Sequence, residues 1–316
     1  MQRNVQKLAS ALLSGGTDSS RLLSDAPMRE FTSFRIGGPA DLLLRTTDES
    51  EIVRALSAAK ECGVPVTVIG NGSNLLVKDA GISGLVLRVA GEGDGIAILS
   101  EDKESVRLSV PAGFSLSALA QEACRRGLAG LAPLSGIPGA LGGGVIMNAG
   151  AYGGELSQIV TAVRAIRPDS GEIVSYEGDA LGFSYRESAM EKDGVLVTRV
   201  FLRLPRGNPE DIRREMAELS ARRREKQPLE YPSAGSAFRR PPGHFAAKLI
   251  DDAGLRGFSV GGAAVSDKHA GFVINRGGAA AKDVLALMEA VQKRVFDRTG
   301  IRLSPEIRIL GEDKTA

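Results

Sequence analysis

Leu8, Leu12 and Leu13 recur at helical spacing ahead of a Ser/Gly/Asp/Thr stretch, which predicts a short docking helix and a mobile link over residues 1–27. An apolar run from Asp41 to Arg45 reads as a strand. Asp48, with Glu51 three residues on, predicts a capped helix through Ile52, Leu56 and Ala59 that ends at Gly63 and Pro65. The β-branched run Val64 to Ile69 reads as a buried strand, and Leu75–Lys78, Leu85–Val89, Ile96–Leu99 and Val106–Val110 as shorter ones. Leu119, Ala120 and Ala123 share one face of a helix over Leu116–Arg126, closed by Gly127. Pro168-Asp169-Ser170-Gly171 between two apolar runs predicts a hairpin, and Val195–Leu204 is the longest strand candidate. After a linker at Pro205–Pro209 the pattern turns charged. Asn208 predicts the cap of a helix through Ile212, Met216 and Leu219 that runs into Arg222–Lys226 and stops before Pro228. Helices near Phe245–Ala253 and through Val284, Met288, Val291 and Val295 follow, closed by Gly254 and Gly300. A closing strand over Ile301–Leu310 would set Ile307 and Ile309 on one face and Glu306 and Arg308 on the other.

Two stretches break this pattern. From Ser135 to Glu155, eight residues are glycine, and almost none of the stretch is expected to be regular structure. Close approach of bare backbone to a phosphate or a flat cofactor is one compensation for that entropy cost; a run of tight turns is the plainer reading. Gly70-Asn71-Gly72-Ser73-Asn74 is a second glycine turn, placed after a strand. It lacks the third glycine of a Rossmann fingerprint, and Leu75–Lys78 looks like strand, which argues against a classical dinucleotide fold. Two such loops suit a ligand with two ends, of which FAD is an example.

A chain of 316 residues has room for two or three domains. Forty basic against thirty-eight acidic residues give a net charge of +2, which offers no global attraction for nucleic acid or a membrane surface. Cys62 and Cys124 form neither a metal spacing nor a disulfide framework, and no metal site is expected. No apolar run approaches a membrane span and the first residues lack a signal peptide's apolar core, so the expected location is the cytoplasm. The tract Arg222–Lys226 is either a solvated helix end or, with Arg239, Arg240 and Lys248, an anion site. Ser236 lies in no nucleophile elbow, since Ala234 and Phe238 stand where glycines would. Taken singly, Ser236, Glu306, Tyr185, Arg186, His244 and His269 read as turn or surface residues.

In order, however, the motifs Thr32-Ser33-Phe34-Arg35-Ile36-Gly37-Gly38-Pro39-Ala40, Gly70 to Leu76, Gly136-Ile137-Pro138-Gly139 through Met147-Asn148-Ala149-Gly150-Ala151-Tyr152, Tyr185-Arg186-Glu187-Ser188, Pro232 to Ser236 and Pro305-Glu306 closely resemble UDP-N-acetylenolpyruvoylglucosamine reductases. These are FAD enzymes that complete UDP-N-acetylmuramate for peptidoglycan. The similarity runs over nearly the whole chain after about residue 28, and the chain resembles the family's short form, which lacks an extra substrate loop. It implies an α+β protein with a two-part FAD-binding fold of the vanillyl-alcohol oxidase type. The expected parts are an N-terminal extension over 1–27, FAD-binding subdomains over 28–90 and 91–207, and an α+β substrate-binding domain over 208–316.

The same resemblance implies site residues. FAD, non-covalent because Ser73 stands where related oxidases carry a flavin-linked histidine, would be held by Arg35, Gly70, Asn71, Gly72, Ser73, Asn74, Leu75, Gly136, Ile137, Pro138, Gly139, Gly142, Gly143 and Asn148. NADPH would supply the hydride, and the partner would be UDP-N-acetylglucosamine enolpyruvate. Arg186, Ser236 and Glu306 would be catalytic: Arg186 at the substrate carboxylate, Ser236 as proton donor, Glu306 assisting as a hydrogen-bond donor. Tyr185, Lys226, Arg240 and His269 would bind substrate. One branch of the family has asparagine at the position of Arg240 and glutamines at those of Lys268 and His269, departures that bear on the UDP contacts.

Overall fold

Helix α1 (Gln2–Ser14) buries Val5, Leu8 and Leu12 and leaves Leu13 at the surface, as its 3–4 spacing requires. The link after it is structured in the computed structural model, which describes residues 2–313. Asp18 accepts the Ser20 N–H to start a single 3₁₀ turn, and the Arg21 guanidinium reaches the Glu51 carboxylate at 2.7 Å. Strand β1 (Leu22–Pro27) then replaces the expected mobile segment. A polar sequence reads as mobile when its tethers lie elsewhere in the chain; here the tether is thirty residues on.

Strand β2 (Pro39–Arg45) leads into α2 (Glu49–Glu61), whose first turn is capped by Asp48 accepting from Ser50 and Glu51 N–H groups. Then come β3 (Val66–Ile69), β4 (Leu75–Val77), β5 (Ile82–Arg88), β6 (Ala97–Glu101), β7 (Ser105–Pro111) and α3 (Leu116–Arg125). Contrary to expectation, the glycine-rich stretch contains a helix, α4 (Leu141–Ile146), followed by the two-residue strands β8 (Gly150–Ala151) and β9 (Gly154–Glu155). Packing overrides propensity there: a Cβ on Gly142 would sit 2.8 Å from that of Ala112, and one on Gly144 3.0 Å from a Leu156 methyl. The predicted hairpin forms from β10 (Val160–Ile166) and β11 (Ile173–Glu177), with Ile166 opposite Ile173. After α5 (Ala189–Lys192), β12 (Leu196–Pro205) and α6 (Pro209–Lys226), where Asn208 Oδ1 accepts the Glu210 N–H, come β13 (Ser233–Ser236) and α7 (Ala246–Asp252). Strands β14 (Ser259–Val260), β15 (Ala263–Val265) and β16 (Phe272–Asn275) precede α8 (Ala281–Thr299) and β17 (Arg308–Leu310).

The closing strand is shorter than its pattern suggested. Pro305 has no N–H for a ladder and the Glu306 N–H goes to Ala237 O, so pairing with β4 starts only at Arg308. Ile307 is buried, while Ile309, expected on the same face, is 39% exposed.

The chain divides into two compact units: residues 1–23, 42–71 and 84–222 form one, and residues 24–41, 72–83 and 223–316 the other. In the first, an antiparallel five-stranded sheet of order β11-β10-β12-β7-β6 shares a core with α1 to α4 that includes Leu8, Ile52, Leu85, Leu108, Leu119, Leu141 and Val200. A four-stranded sheet has the order β1-β2-β5-β3. In the second, the antiparallel sheet β13-β16-β15-β14 and helices α7 and α8 enclose Phe34, Phe238, Ile250, Val273, Leu287 and Val291.

Candidate active site

The second unit gathers Arg35, Gly72 to Leu75, Ser236 and Glu306. Ser33 ties three of these segments together, although nothing beyond its motif singles it out along the chain. Its N–H donates to Gly72 O at 3.1 Å, and its hydroxyl donates to Ser233 O at 2.7 Å while lying 3.3 Å from Ser73 O. Gly72 lets the chain pass so close to Phe31 that any Cβ would collide with the Phe31 carbonyl. Asn74 Nδ2 donates to Glu306 O at 3.1 Å, and Asn74 O accepts the Arg308 N–H at 3.0 Å. Residues 232 positions apart are thereby held in one framework. Arg35, at φ +55°, is pushed outward between Phe34 and Ile36, both buried in the second core.

Ser236 ends β13 on a bulge. Ser233 pairs with Ile274 and Ser236 with Phe272, so β13 carries one residue more than its partner between these points. Gly235, at φ +77°, absorbs the kink. Its effect is to re-aim Ser236, whose hydroxyl has no hydrogen-bond partner among the described residues and is therefore available to a bound molecule. Glu306 follows through the neighbouring connection, its N–H on Ala237 O at 2.9 Å beside the Phe238–Pro305 bridge.

The first unit holds Gly70, Asn71, Gly136 to Gly143, Asn148, Tyr185 and Arg186. Gly142 and Gly144 are explained by packing, but Gly143 is not: it is exposed, its φ is ordinary, and an added Cβ would meet nothing within 4 Å. A glycine inside a helix costs about 1 kcal/mol relative to alanine and needs a compensating reason. A flat group lying against bare backbone is such a reason, so this surface fits the flavin cofactor its motifs imply. Tyr185 and Arg186 occupy the tip of a two-residue turn closed by reciprocal hydrogen bonds between Ser184 and Glu187, at 3.1 and 3.3 Å. Arg186 has φ +60°, its guanidinium donates to Gly150 O at 3.2 Å, and it lies 5.2 Å from the Tyr185 ring centroid. Arg35, Asn148, Tyr152 and Arg186 are four of the five described non-glycine residues at positive φ, and all sit in motif segments. Backbone strain of this kind collects at functional sites.

Three further residues behave differently from a shared anion site. Lys248 spends its charge on Asp252 one turn away. Arg240 lies over the exposed Phe245 ring at 4.9 Å, and Lys226 is the exposed last residue of α6. Lys268 caps that helix end by donating to Arg224 O at 2.7 Å. His269 is half-buried, edge-on to Phe272, and its Nδ1 accepts the Gly271 N–H at 3.1 Å, which leaves Nε2–H as a donor. Burial lowers its pKa from the ordinary 6.5; a backbone hydrogen bond opposes this in part, and the Arg256 charge adds a smaller push downward. The unfolded chain therefore takes up a proton near 6.5 that the folded chain refuses until lower pH. The stability this group contributes is complete above that value and declines as pH falls below it. Urea denaturation across mildly acidic pH is expected to show this decline, and His269→Gln to flatten it; an unaltered slope would contradict the assignment.

Two family models match the chain in succession: an FAD binding domain over residues 40–177, and the C-terminal domain of UDP-N-acetylenolpyruvoylglucosamine reductase over residues 227–310. With the glycine surface described above, they define an α+β flavoprotein oxidoreductase that binds FAD. The UDP-N-acetylenolpyruvoylglucosamine reductases of Agathobacter rectalis and Lachnoclostridium phytofermentans are 49% and 45% identical to it, over 92% and 93% of this chain and 94% of each relative. The crystal structure of the corresponding reductase from Thermus caldophilus matches with a TM-score of 0.76 at 39% identity, covering 92% of this chain and 98% of that one. The chain belongs to the UDP-N-acetylenolpyruvoylglucosamine reductase family. No described helix is long and apolar enough to cross a membrane.

Proposed function

We propose that this protein reduces the enolpyruvyl group of UDP-N-acetylglucosamine enolpyruvate to give UDP-N-acetylmuramate, using NADPH, as a cytoplasmic step of peptidoglycan synthesis. Family membership supports the reaction; the observation that carries the mechanism is the bulge that presents an unengaged Ser236 hydroxyl beside the Glu306 connection. When bound, non-covalently, FAD would supply hydride chemistry for the β-carbon of the double bond. The chain's own residues manage the charge and the proton. Arg186 stabilises the carboxylate as electron density moves onto the α-carbon, which is where a fixed cation has most effect. Ser236 gives its hydroxyl proton to the α-carbon. An unperturbed hydroxyl is a weak acid, but an enolate-like carbon is a strong base, so fixed geometry suffices for the transfer. Glu306 donates a hydrogen bond at the carboxylate end when protonated. Arg35, Gly70 to Leu75, Gly136 to Gly139 and Gly143 contact the cofactor, and Tyr185, Lys226, Arg240 and His269 the substrate. His269 would do so through Nε2–H, its remaining donor.

Two other functions are compatible with the fold: an alcohol-oxidising flavoenzyme, and a sugar-nucleotide binding protein without catalysis. Purified protein is expected to be yellow, to bleach with NADPH, and to regain colour anaerobically only when UDP-N-acetylglucosamine enolpyruvate is added. Bleaching by an alcohol without NADPH would favour the oxidase, and a colourless protein that binds the nucleotide sugar would favour the binding module.

A further inference from the structure

Three alternate residues at and after the end of α4, Ile146, Asn148 and Gly150, each hold one residue in or beside the turn that carries Arg186. Ile146 O accepts from the Ser188 hydroxyl at 2.8 Å, Asn148 Nδ2 donates to Ser184 O at 3.1 Å, and Gly150 O accepts from the Arg186 guanidinium at 3.2 Å. Ser188 is fully buried and also accepts the Glu191 N–H, so it fixes where the turn ends. Asn148 fixes where it begins. It is 1% exposed, and its Oδ1 accepts the Ser157 N–H at 3.0 Å, so both ends of the amide are engaged by backbone groups of opposite polarity. Aspartate could serve only the Ser157 side, and an apolar residue neither. The turn itself is poorly suited to stand alone: Arg186 at φ +60° lies in the left-handed region that side chains with a Cβ resist, and Tyr185 beside it is exposed.

From this we infer that Asn148 is a positioning residue for Arg186, acting through Ser184, and not a direct cofactor contact as its motif suggests. The inference rests on the role given to Arg186 above. It assigns the end of the glycine-rich stretch a task beyond holding the cofactor, since the same backbone that follows α4 aims the arginine.

Two variants test it, chosen because both tolerate the positive φ of Asn148 (+40°). Asn148→Asp keeps the acceptor for Ser157 and loses the donor to Ser184; Asn148→Gly removes both. Each is expected to retain FAD and its visible spectrum and to be reduced by NADPH within about twofold of wild type, while reoxidation by the enolpyruvyl substrate slows about 10- to 100-fold. In an Arg186→Gly background the added Asn148→Gly change should cost no more than about twofold further, because the group it positions is gone. Loss of FAD, equal slowing of both half-reactions, or additive losses in the double variant would overturn the proposal. Amide hydrogen exchange gives a readout that needs no activity: in Asn148→Asp, exchange at Ser184 and Glu187 should quicken about tenfold or more while β10 and β12 stay protected. Unchanged exchange there, or a general rise, would equally overturn it. Should wild-type protein fail to be reoxidised by the substrate, the proposed reaction falls, and the exchange measurement still decides the role of Asn148.

Discussion

Ser236→Ala is expected to leave reduction of the flavin by NADPH within about twofold of wild type and to slow reoxidation by the enolpyruvyl substrate by about 10²- to 10⁴-fold, the usual range for losing a positioned acid. The variant isolates chemistry because the hydroxyl does nothing else. It has no hydrogen-bond partner among the described residues, and the bulge depends on Gly235 and on the Ser233 and Ser236 backbone pairings, none of which alanine alters. Stability should therefore move by less than about 0.5 kcal/mol. Stopped-flow traces of the two half-reactions, taken with a urea titration, check both statements. Unchanged reoxidation would remove Ser236 from the mechanism. Slowed flavin reduction would move its role to the cofactor.

The features legible in the sequence were those whose causes are local. Asp48 and Asn208 cap the helices they precede, and Pro168 to Gly171 turn the hairpin, because each partner lies within a few residues. The turn at Tyr185-Arg186 was also legible, whereas Ser236, read as a turn residue, ends a strand whose partner β16 lies far along the chain. What could not be read were bonds between distant segments: Ser33 to Ser233, Asn74 to Glu306, Arg21 to Glu51. The Arg21–Glu51 pair tethers the segment that leads into β1, and the Glu306 N–H, bonded to Ala237 O, delays pairing of the last strand until Arg308. The glycine-rich stretch misled for a related reason. Its composition argues against helix, yet Gly142 and Gly144 are there so that a helical turn can press against Ala112 and Leu156. Propensity is a property of the segment, and that contact is a property of the fold. Gly143, where an added Cβ would meet nothing within 4 Å, keeps the meaning first given to the stretch.

Arg186→Gly should slow reoxidation by the enolpyruvyl substrate by about 10³-fold or more, since it removes the charge proposed to meet the developing carboxylate density. It should do so without the usual loss of stability. The third residue of a turn with a left-handed backbone is normally glycine, and here it is arginine at φ +60°. Glycine relieves that strain, while forfeiting the guanidinium bond to Gly150 O and gaining unfolded-state entropy, so the variant should stay within about 1 kcal/mol of wild type. Arg186→Ala forfeits the same bond but keeps the strain, and should be less stable than the glycine variant by about 1 kcal/mol. Urea denaturation of the two variants side by side separates strain from contact, because they differ only in the Cβ. If alanine proves as stable as glycine, the backbone at this position is not strained. If reoxidation survives in both, the carboxylate is met by another group, and Lys226 and Arg240 become the next candidates. A turn that would be more comfortable with glycine and yet carries arginine is what selection for reaction, and not for stability, would leave in place.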